Sequence, residues 1–304
     1  MLTIFFMQNN QQKFQDYLLK EKNYSPLTAL AYGKDLQFFQ TFLEIKFDNT
    51  PLEEVSYTLI RSWIVSMVDA EMSNTSVNRK IASLKAFYKF LLKTKQIEIN
   101  PLSKHKALKT PKKIQIPFSE AELDTVLTQI QYKAGFEGLR DKLIIDLFYT
   151  TGIRRSELIS LQISNTNLVA GTIKVIGKRN KERIIPLLPV IIKQIKVYLA
   201  ERKQLSLIVA KENLILLSNG NKANETFVYR LINDYFSNVS EKVKKSPHML
   251  RHTFATHMLN HGADLNSIKE LLGHSSLAST QVYTNSSLAE LKNVYQNAHP
   301  RNQK

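Results

Sequence analysis

Through the first third of the chain apolar residues recur every three to four positions, with almost no strand signal. Phe14, Tyr17 and Leu18 form one i, i+3, i+4 face. Ser25-Pro26 supplies an N-cap and a proline for the first turn of a second helix, on which Tyr32, Leu36, Phe39 and Leu43 share a side. A third helix is expected over about 56–70, with Leu59, Ile60, Trp63, Ile64 and Met67 inward. A fourth starts near Ser73–Thr75 and runs to about Leu92, burying Ile81, Leu84, Phe87, Tyr88 and Leu91. Four amphipathic helices with short connections predict a small bundle.

The pattern breaks at Asn100–Pro117, which holds three prolines, five lysines and no acid. Such a segment does not continue a helix and reads as a boundary. The expected organisation is an N-terminal helical domain over 1–103, a basic linker over 104–117 and a C-terminal domain over 118–304.

Beyond the linker the periods are mixed. Ser119 with Glu122 makes a capping box for a new helix. Leu139–Tyr149 is a strongly apolar helical stretch that Gly152 ends, and a new helix begins by Arg154. TIKVIG (172–177) and ERIIPL (182–187) are β-rich runs around a basic turn, which predicts a hairpin. Residues 188–245 read as largely helical, with a short strand at Leu214–Leu217. Pro247 opens a helix, Gly262-Ala263-Asp264 ends it and caps the next, and Gly273 ends that one. After Tyr283, Leu288, Leu291, Val294 and Tyr295 fall at helical spacing. The fold class is mainly α: an N-terminal helical bundle, then a mixed α/β domain with a small antiparallel sheet.

Charge adds a partner to this picture. The 304 residues carry a formal net charge of +16, an excess that favours a polyanion, nucleic acid above all. The fourth helix has a second face of Arg79, Lys80, Lys85 and Lys89; contact with DNA and a solvated face both account for it. The chain has no cysteine, which excludes disulfides, thiolate catalysis and cysteine-held zinc and suits a reducing cytoplasm. No stretch reaches the roughly 18–20 apolar residues of a membrane span. The opening LTIFFM is short for a signal segment, and Met7 is an alternative start to Met1.

The candidate chemistry lies mostly in Ser246–Tyr283, which holds five of the seven histidines. His248, Arg251 and His274 are donors that suit a phosphate, and Tyr283 is a candidate nucleophile. Arg154, near a helix N-terminus, suits an anion. Lys178 sits at the hairpin tip, with Lys181 as its competitor. His248 with His252 and His257 with His261 are i, i+4 pairs, a spacing that metal sites use. No glutamate lies inside either pair and Arg251 would repel a cation, so no metal and no cofactor are expected.

These residues also stand in an order. His248-x-x-Arg251, Leu272-Gly273-His274 and then Tyr283 resemble the C-terminal signature of the tyrosine recombinases, the phage integrase family. Thr151-Gly152-x-Arg154-x-Ser156-Glu157-Leu158 looks like the first catalytic box of that family, at its expected place upstream. The hairpin turn Gly177-Lys178-Arg179-Asn180-Lys181-Glu182-Arg183 is similar to the family's Gly-Lys-Gly-x-x-Lys-x-Arg, with Arg179 where the second glycine stands.

The resemblance implies a SAM-like core-binding domain, in which two helices enter the DNA major groove, and a catalytic domain that ends in an exchange helix. It implies a nucleophile at Tyr283, a phosphate clamp of Arg154 and Arg251, a general acid at Lys178 and assisting roles for His248 and His274. Arg79, Lys80, Lys85 and Lys181 are candidate DNA contacts. The implied partners are double-stranded DNA with inverted repeats and a homo- or hetero-tetramer, with a translocase or a second recombinase as further candidates. The implied biology is chromosome-dimer resolution or mobile-element integration or inversion. Two rivals are a non-catalytic architectural protein of the same fold and a metal-dependent nuclease.

Overall fold

The computed structural model describes residues 10–111, 115–177, 181–242, 245–273 and 285–302. The chain divides into two compact units, 1–113 and 114–304.

In the first unit α1 covers 10–21, α-helical to residue 16 and then π-helical over Tyr17–Glu21. It is followed by α2 (Pro26–Lys46), α3 (Tyr57–Asp69) and α4 (Asn74–Lys93). The cap read at Ser25 is made, its Oγ accepting from the Thr28 amide, and Ser73 Oγ likewise accepts from the Ser76 amide. The expected apolar stripes meet in an aromatic core of Phe14, Phe39, Trp63, Phe87 and Tyr88. Phe39 lies 4.6 Å from Trp63 between ring centroids, and Phe14 meets Phe87 edge-on at 5.3 Å.

Much of the basic segment after α4 belongs to this unit. Leu102 is fully buried. The Asn78 carboxamide accepts from the Leu108 amide at 2.9 Å and donates to its carbonyl at 2.9 Å, while Asn74 donates to the Lys109 carbonyl. Residues 100–109 are therefore fastened to α4 by amide side chains that a composition-based reading passes over.

The second unit is built round a helix buried on nearly every side, α6 (Phe136–Thr151). Before it comes α5 (Glu120–Asp124), opened by the Ser119–Glu122 capping box and widening to a π turn over Thr125–Gln129. After it come α7 (Arg155–Ser160) and three short strands, β1 (Thr166–Asn167), β2 (Thr172–Ile176) and β3 (Glu182–Pro186). They form one antiparallel sheet in the order β1-β2-β3, with Ile173 opposite Ile185 and Val175 opposite Arg183. The helices α8 (Pro189–Arg202), α9 (Glu225–Ser237), α10 (Pro247–Asn260), α11 (Leu265–Leu272) and α12 (Asn285–Ala298) complete the unit.

One expectation changes. Leu214–Leu217 takes part in an isolated bridge, Leu216 to Lys222, and does not form a strand. The Tyr198 hydroxyl donates to the Leu214 carbonyl and accepts from the Leu216 amide, occupying groups a ladder would need. The helix expected after Tyr283 is present as α12. Leu291, Tyr295 and Ala298 are buried there, and Tyr295 donates to the Thr150 carbonyl at 2.8 Å. No helix among the described residues is long and apolar enough to cross a membrane.

Candidate active site

The site begins where α6 ends. Gly152 takes the left-handed conformation at φ +58°, and a Cβ there would lie 2.5 Å from Phe254 and 2.7 Å from Leu272. Only glycine meets both demands. The turn brings the end of α6, the middle of α10 and the C-terminus of α11 together. The carbonyl of Gly152 accepts from Nη1 of Arg251.

Arg154 is the N-cap of α7. Its amide donates to Oε2 of Glu157 at 2.8 Å and its Nη1 to Oε1 at 2.7 Å. The Arg154 amide is thus already satisfied by a carboxylate from its own helix, so attraction for an anion comes from the guanidinium. Nη2 of Arg154 donates to the Gly273 carbonyl at 3.0 Å.

Arg251 is buried and its Nη2 donates to the Leu272 carbonyl at 2.6 Å. Burial, then the charges of Arg154 and Arg183, pull its pKa down to about 9. It stays cationic at neutral pH and carries that charge at a cost, which an incoming anion relieves.

A third arginine closes the arrangement. Arg183, on β3, donates from Nη1 and Nη2 to the two oxygens of Glu157 at 2.7 and 2.8 Å, and from Nε to the Leu271 carbonyl at 2.9 Å. Three guanidiniums thus rest on three successive carbonyls, Leu271, Leu272 and Gly273. These belong to the last turn of α11 and its cap, where carbonyls lack helical partners and the dipole is negative. Among these four side chains Glu157 is the single carboxylate, which leaves a net charge of +2. Burial pushes the Glu157 carboxyl up, but the hydrogen bonds and charge of Arg183, with those of Arg154, outweigh it and hold it down at about 2.

Of the residues proposed from sequence, Arg154 and Arg251 converge. His248 is exposed in the first turn of α10, which Ser246 caps. Lys178, His274 and Tyr283 lie outside the described residues. Two chain neighbours of these are described: Gly273 is held by Arg154, and a Cβ on Gly177 would sit 3.5 Å from Glu157 and 3.8 Å from Arg154. Lys181 is exposed, and its carbonyl accepts from the Gly177 amide at 2.7 Å across the hairpin.

Glu157 and Arg183 were not singled out from sequence as functional. Both had signals: Glu157 stands one helical turn after Arg154, and Arg183 falls in the same alternation as the inward Ile185.

The other histidines separate. His252 meets the Gln115 carbonyl at 3.0 Å, His257 the Tyr149 hydroxyl at 3.1 Å and His261 the Glu120 carboxylate at 2.8 Å. His299 is fully buried with Nε2 3.3 Å from the Tyr149 carbonyl, and burial above all lowers its pKa to about 4. No cluster of three metal-ligating groups occurs among the described residues.

In the first unit, Arg79 and Lys80 have an internal partner. Asp35, 3 % exposed, receives Nη1 and Nη2 of Arg79 at 2.7 and 2.8 Å, Lys80 Nζ at 3.2 Å and the Ser83 hydroxyl at 2.7 Å. Arg79 remains 54 % exposed at its side chain, whereas Lys80 is drawn inward over the Phe38 ring. Lys85 is half-buried and Lys89 exposed.

Comparisons with known proteins agree with this geometry. The profile of the phage integrase family matches residues 118–290, and that of the phage integrase N-terminal SAM-like domain matches 12–95. The tyrosine recombinase XerC of Bacillus subtilis is 37% identical, covering 97% of both chains, and XerD of Shewanella oneidensis is 35% identical, covering 95% of both. Among solved structures, the XerH site-specific recombinase bound to palindromic difH substrate superposes with a TM-score of 0.70 at 20% identity, covering 99% of this chain and 86% of that one. The Tn1549 transposon integrase with circular intermediate DNA gives 0.69 at 21%, covering 92% and 98%. At such identities these two structures bear on the fold.

The chain belongs to the phage integrase family of tyrosine recombinases. It is a site-specific recombinase of the Xer type, an enzyme that acts on DNA.

Proposed function

We propose that Tyr283 attacks the scissile phosphorus and forms a 3′-phosphotyrosine, while Arg154 and Arg251 clamp the nonbridging oxygens. The observation that carries this reading is the charge balance at the end of α11, three guanidiniums against one carboxylate. The carbonyls there hold the arginines without neutralising them. The pentacoordinate phosphate gains negative charge as it forms, and preorganised cations in a partly buried site stabilise that charge.

A tyrosine ionises near pH 10 in water, so this positive field also assists its deprotonation, with His248 taking part in proton transfer. Lys178 gives its proton to the leaving 5′-oxygen and His274 adds a hydrogen bond to the phosphate. The phosphotyrosine keeps the energy of the phosphodiester, so rejoining to another strand needs no ATP, and cationic side chains serve where other nucleases use metal.

The DNA is a duplex carrying short inverted repeats. The first unit grips it as the core-binding domain, through Lys85 and the exposed part of Arg79. Four subunits exchange strands in pairs, alone or with a second recombinase. The role is chromosome-dimer resolution or the integration or inversion of a mobile element, in the cytoplasm.

The test is covalent trapping. The protein is incubated in EDTA with a nicked suicide duplex bearing the inverted repeat it selects from genomic DNA. An SDS-stable adduct is expected, and Tyr283→Phe abolishes it. Binding without an adduct would favour an architectural protein of the same fold. Cleavage that needs metal and leaves no adduct would overturn the mechanism.

A further inference from the structure

Arg183 lies outside the clamp just described. Its side chain is 6 % exposed, three of its N–H groups are committed, and nothing in its position brings it to a phosphate. Its site is nevertheless specific. It faces both oxygens of Glu157 as a bidentate fork, and Glu157, 2 % exposed, is also the carboxylate that holds the amide and Nη1 of Arg154.

Glu157 has two tasks that conflict. It must be ionised to orient Arg154, yet an ionised carboxylate 2.7 Å from a catalytic cation cancels the charge that the phosphate requires. A second guanidinium on the same carboxylate resolves the conflict. With Arg183 in place the carboxylate's charge is matched from the β3 side, and Arg154 is oriented without being neutralised. Without it, a buried carboxylate is left with Arg154 as its one counter-ion and draws that charge inward.

Arg183 also reaches the neighbouring chain. A Cβ on Gly273 would lie 3.0 Å from Cδ of Arg183 and 3.2 Å from its Nη1, and Gly273 sits at φ +64°. Glycine is required there twice, once for the backbone and once for the arginine. The side chain thus ties the hairpin, α7 and the end of α11 into one rigid group.

We propose that Arg183 is a positioning residue for strand cleavage: it neutralises Glu157 so that Arg154 keeps its charge for the scissile phosphate. The inference rests on the reading of Arg154 as a phosphate clamp.

The test is single-turnover cleavage of the same suicide duplex, with DNA affinity measured in parallel. Arg183→Gln is expected to slow cleavage about 10- to 100-fold while affinity changes less than about threefold, because the charge is missing at the transition state and not at the DNA surface. Arg183→Lys should restore part of the rate. Arg183→Gln with Glu157→Gln should cleave faster than Arg183→Gln alone, since removing the carboxylate frees Arg154 again; a packing role predicts no such recovery. In an Arg154→Ala background Arg183→Gln should cost little more, because the residue through which it acts is gone.

Equal cost in both backgrounds, or no gain from the paired substitution, would overturn the proposal. If Arg183→Gln does not fold, the rate of Arg183→Lys and its dependence on Arg154 decide in the same way. A normal rate for Arg154→Ala would instead sink the clamp reading itself; a slow Arg154→Ala beside a normal Arg183→Gln would sink only this inference.

Discussion

Each unit has a buried carboxylate that two cations share, and the two clusters differ in what else holds those cations. In the first unit Asp35 gathers Arg79, Lys80 and the Ser83 hydroxyl. In the second Glu157 gathers Arg154 and Arg183, while Arg251 stands beside them on the end of α11. Asp35 accepts from both Arg79 and Lys80, so its one negative charge is shared between them within the bundle. At α11 most of the holding is done by backbone carbonyls, which accept hydrogen bonds but carry no net charge. A carboxylate fixes a cation and cancels it; a carbonyl fixes a cation and leaves it available. That difference separates a cluster that ties helices together from the one proposed to receive a phosphate.

The strongest test of this contrast is at the carbonyl-held arginines. Arg251→Ala should slow cleavage of the suicide duplex by about 10²–10³-fold, the usual scale for removing one preorganised donor from a developing oxyanion. Binding to the intact duplex should change little. A rate within tenfold of the unsubstituted protein would mean that the α11 cluster is structural, like its counterpart at Asp35.

Acid should separate the units next. His299 and His257 are buried in the second unit among Tyr149, His261, Glu120 and Arg301, and burial lowers both pKa values. The folded state therefore binds their protons less readily than the unfolded chain does. Stability is complete above about pH 6.5 and declines as pH falls towards 4, by about 3 kcal/mol for His299 alone. Trp63, the single tryptophan, reports on the first unit. The protection of amides in α10 and α12, relative to their intrinsic exchange rate at each pH, should fall across this range before Trp63 fluorescence changes, and His299→Gln should flatten the trend. Simultaneous loss of both signals at every pH would contradict it.

Releasing the first cluster should have a smaller, double effect. Asp35→Asn removes the buried charge that Arg79 and Lys80 share, at a cost of about 2–4 kcal/mol in urea unfolding. The two freed cations should steepen the dependence of DNA affinity on salt by about one ion. A shallower dependence would show that Asp35 presents Arg79 to DNA and does not restrain it. The least effect is expected at Lys85→Ala: a few-fold loss of affinity, uniform across DNA sequences, with the salt slope reduced by about one.

Much of this molecule is legible in one dimension, for identifiable reasons. The four helices of the first unit follow from period and caps, because Ser25, Pro26 and Ser73 act on the backbone within a turn of themselves. The break at Gly152 follows from the conformational freedom of glycine, and the β2–β3 hairpin from alternation. Arg154 and Arg251 could be named because they occupy fixed places in short motifs. The misreadings share a cause. Leu214–Leu217 has strand composition, but the hydroxyl of Tyr198, sixteen residues before Leu214, takes its backbone groups. The stretch after α4 has linker composition, but Asn78, thirty residues before Leu108, fastens it to the bundle.

The sequence by itself therefore determined the elements, their caps, the basic character of the chain and the two arginines proposed as a clamp, all of which depend on neighbours within a few residues. Tertiary structure alone decided which cations keep their charge. Arg79 and Arg154 look alike as text, each an arginine on a helix of a basic protein. One shares a buried carboxylate from α2 with Lys80; the other shares a carboxylate of its own helix with Arg183 of β3 and also holds a carbonyl at the end of α11. Electrostatic free energy depends on distance and burial in space, and those are set only when segments far apart in the chain have packed.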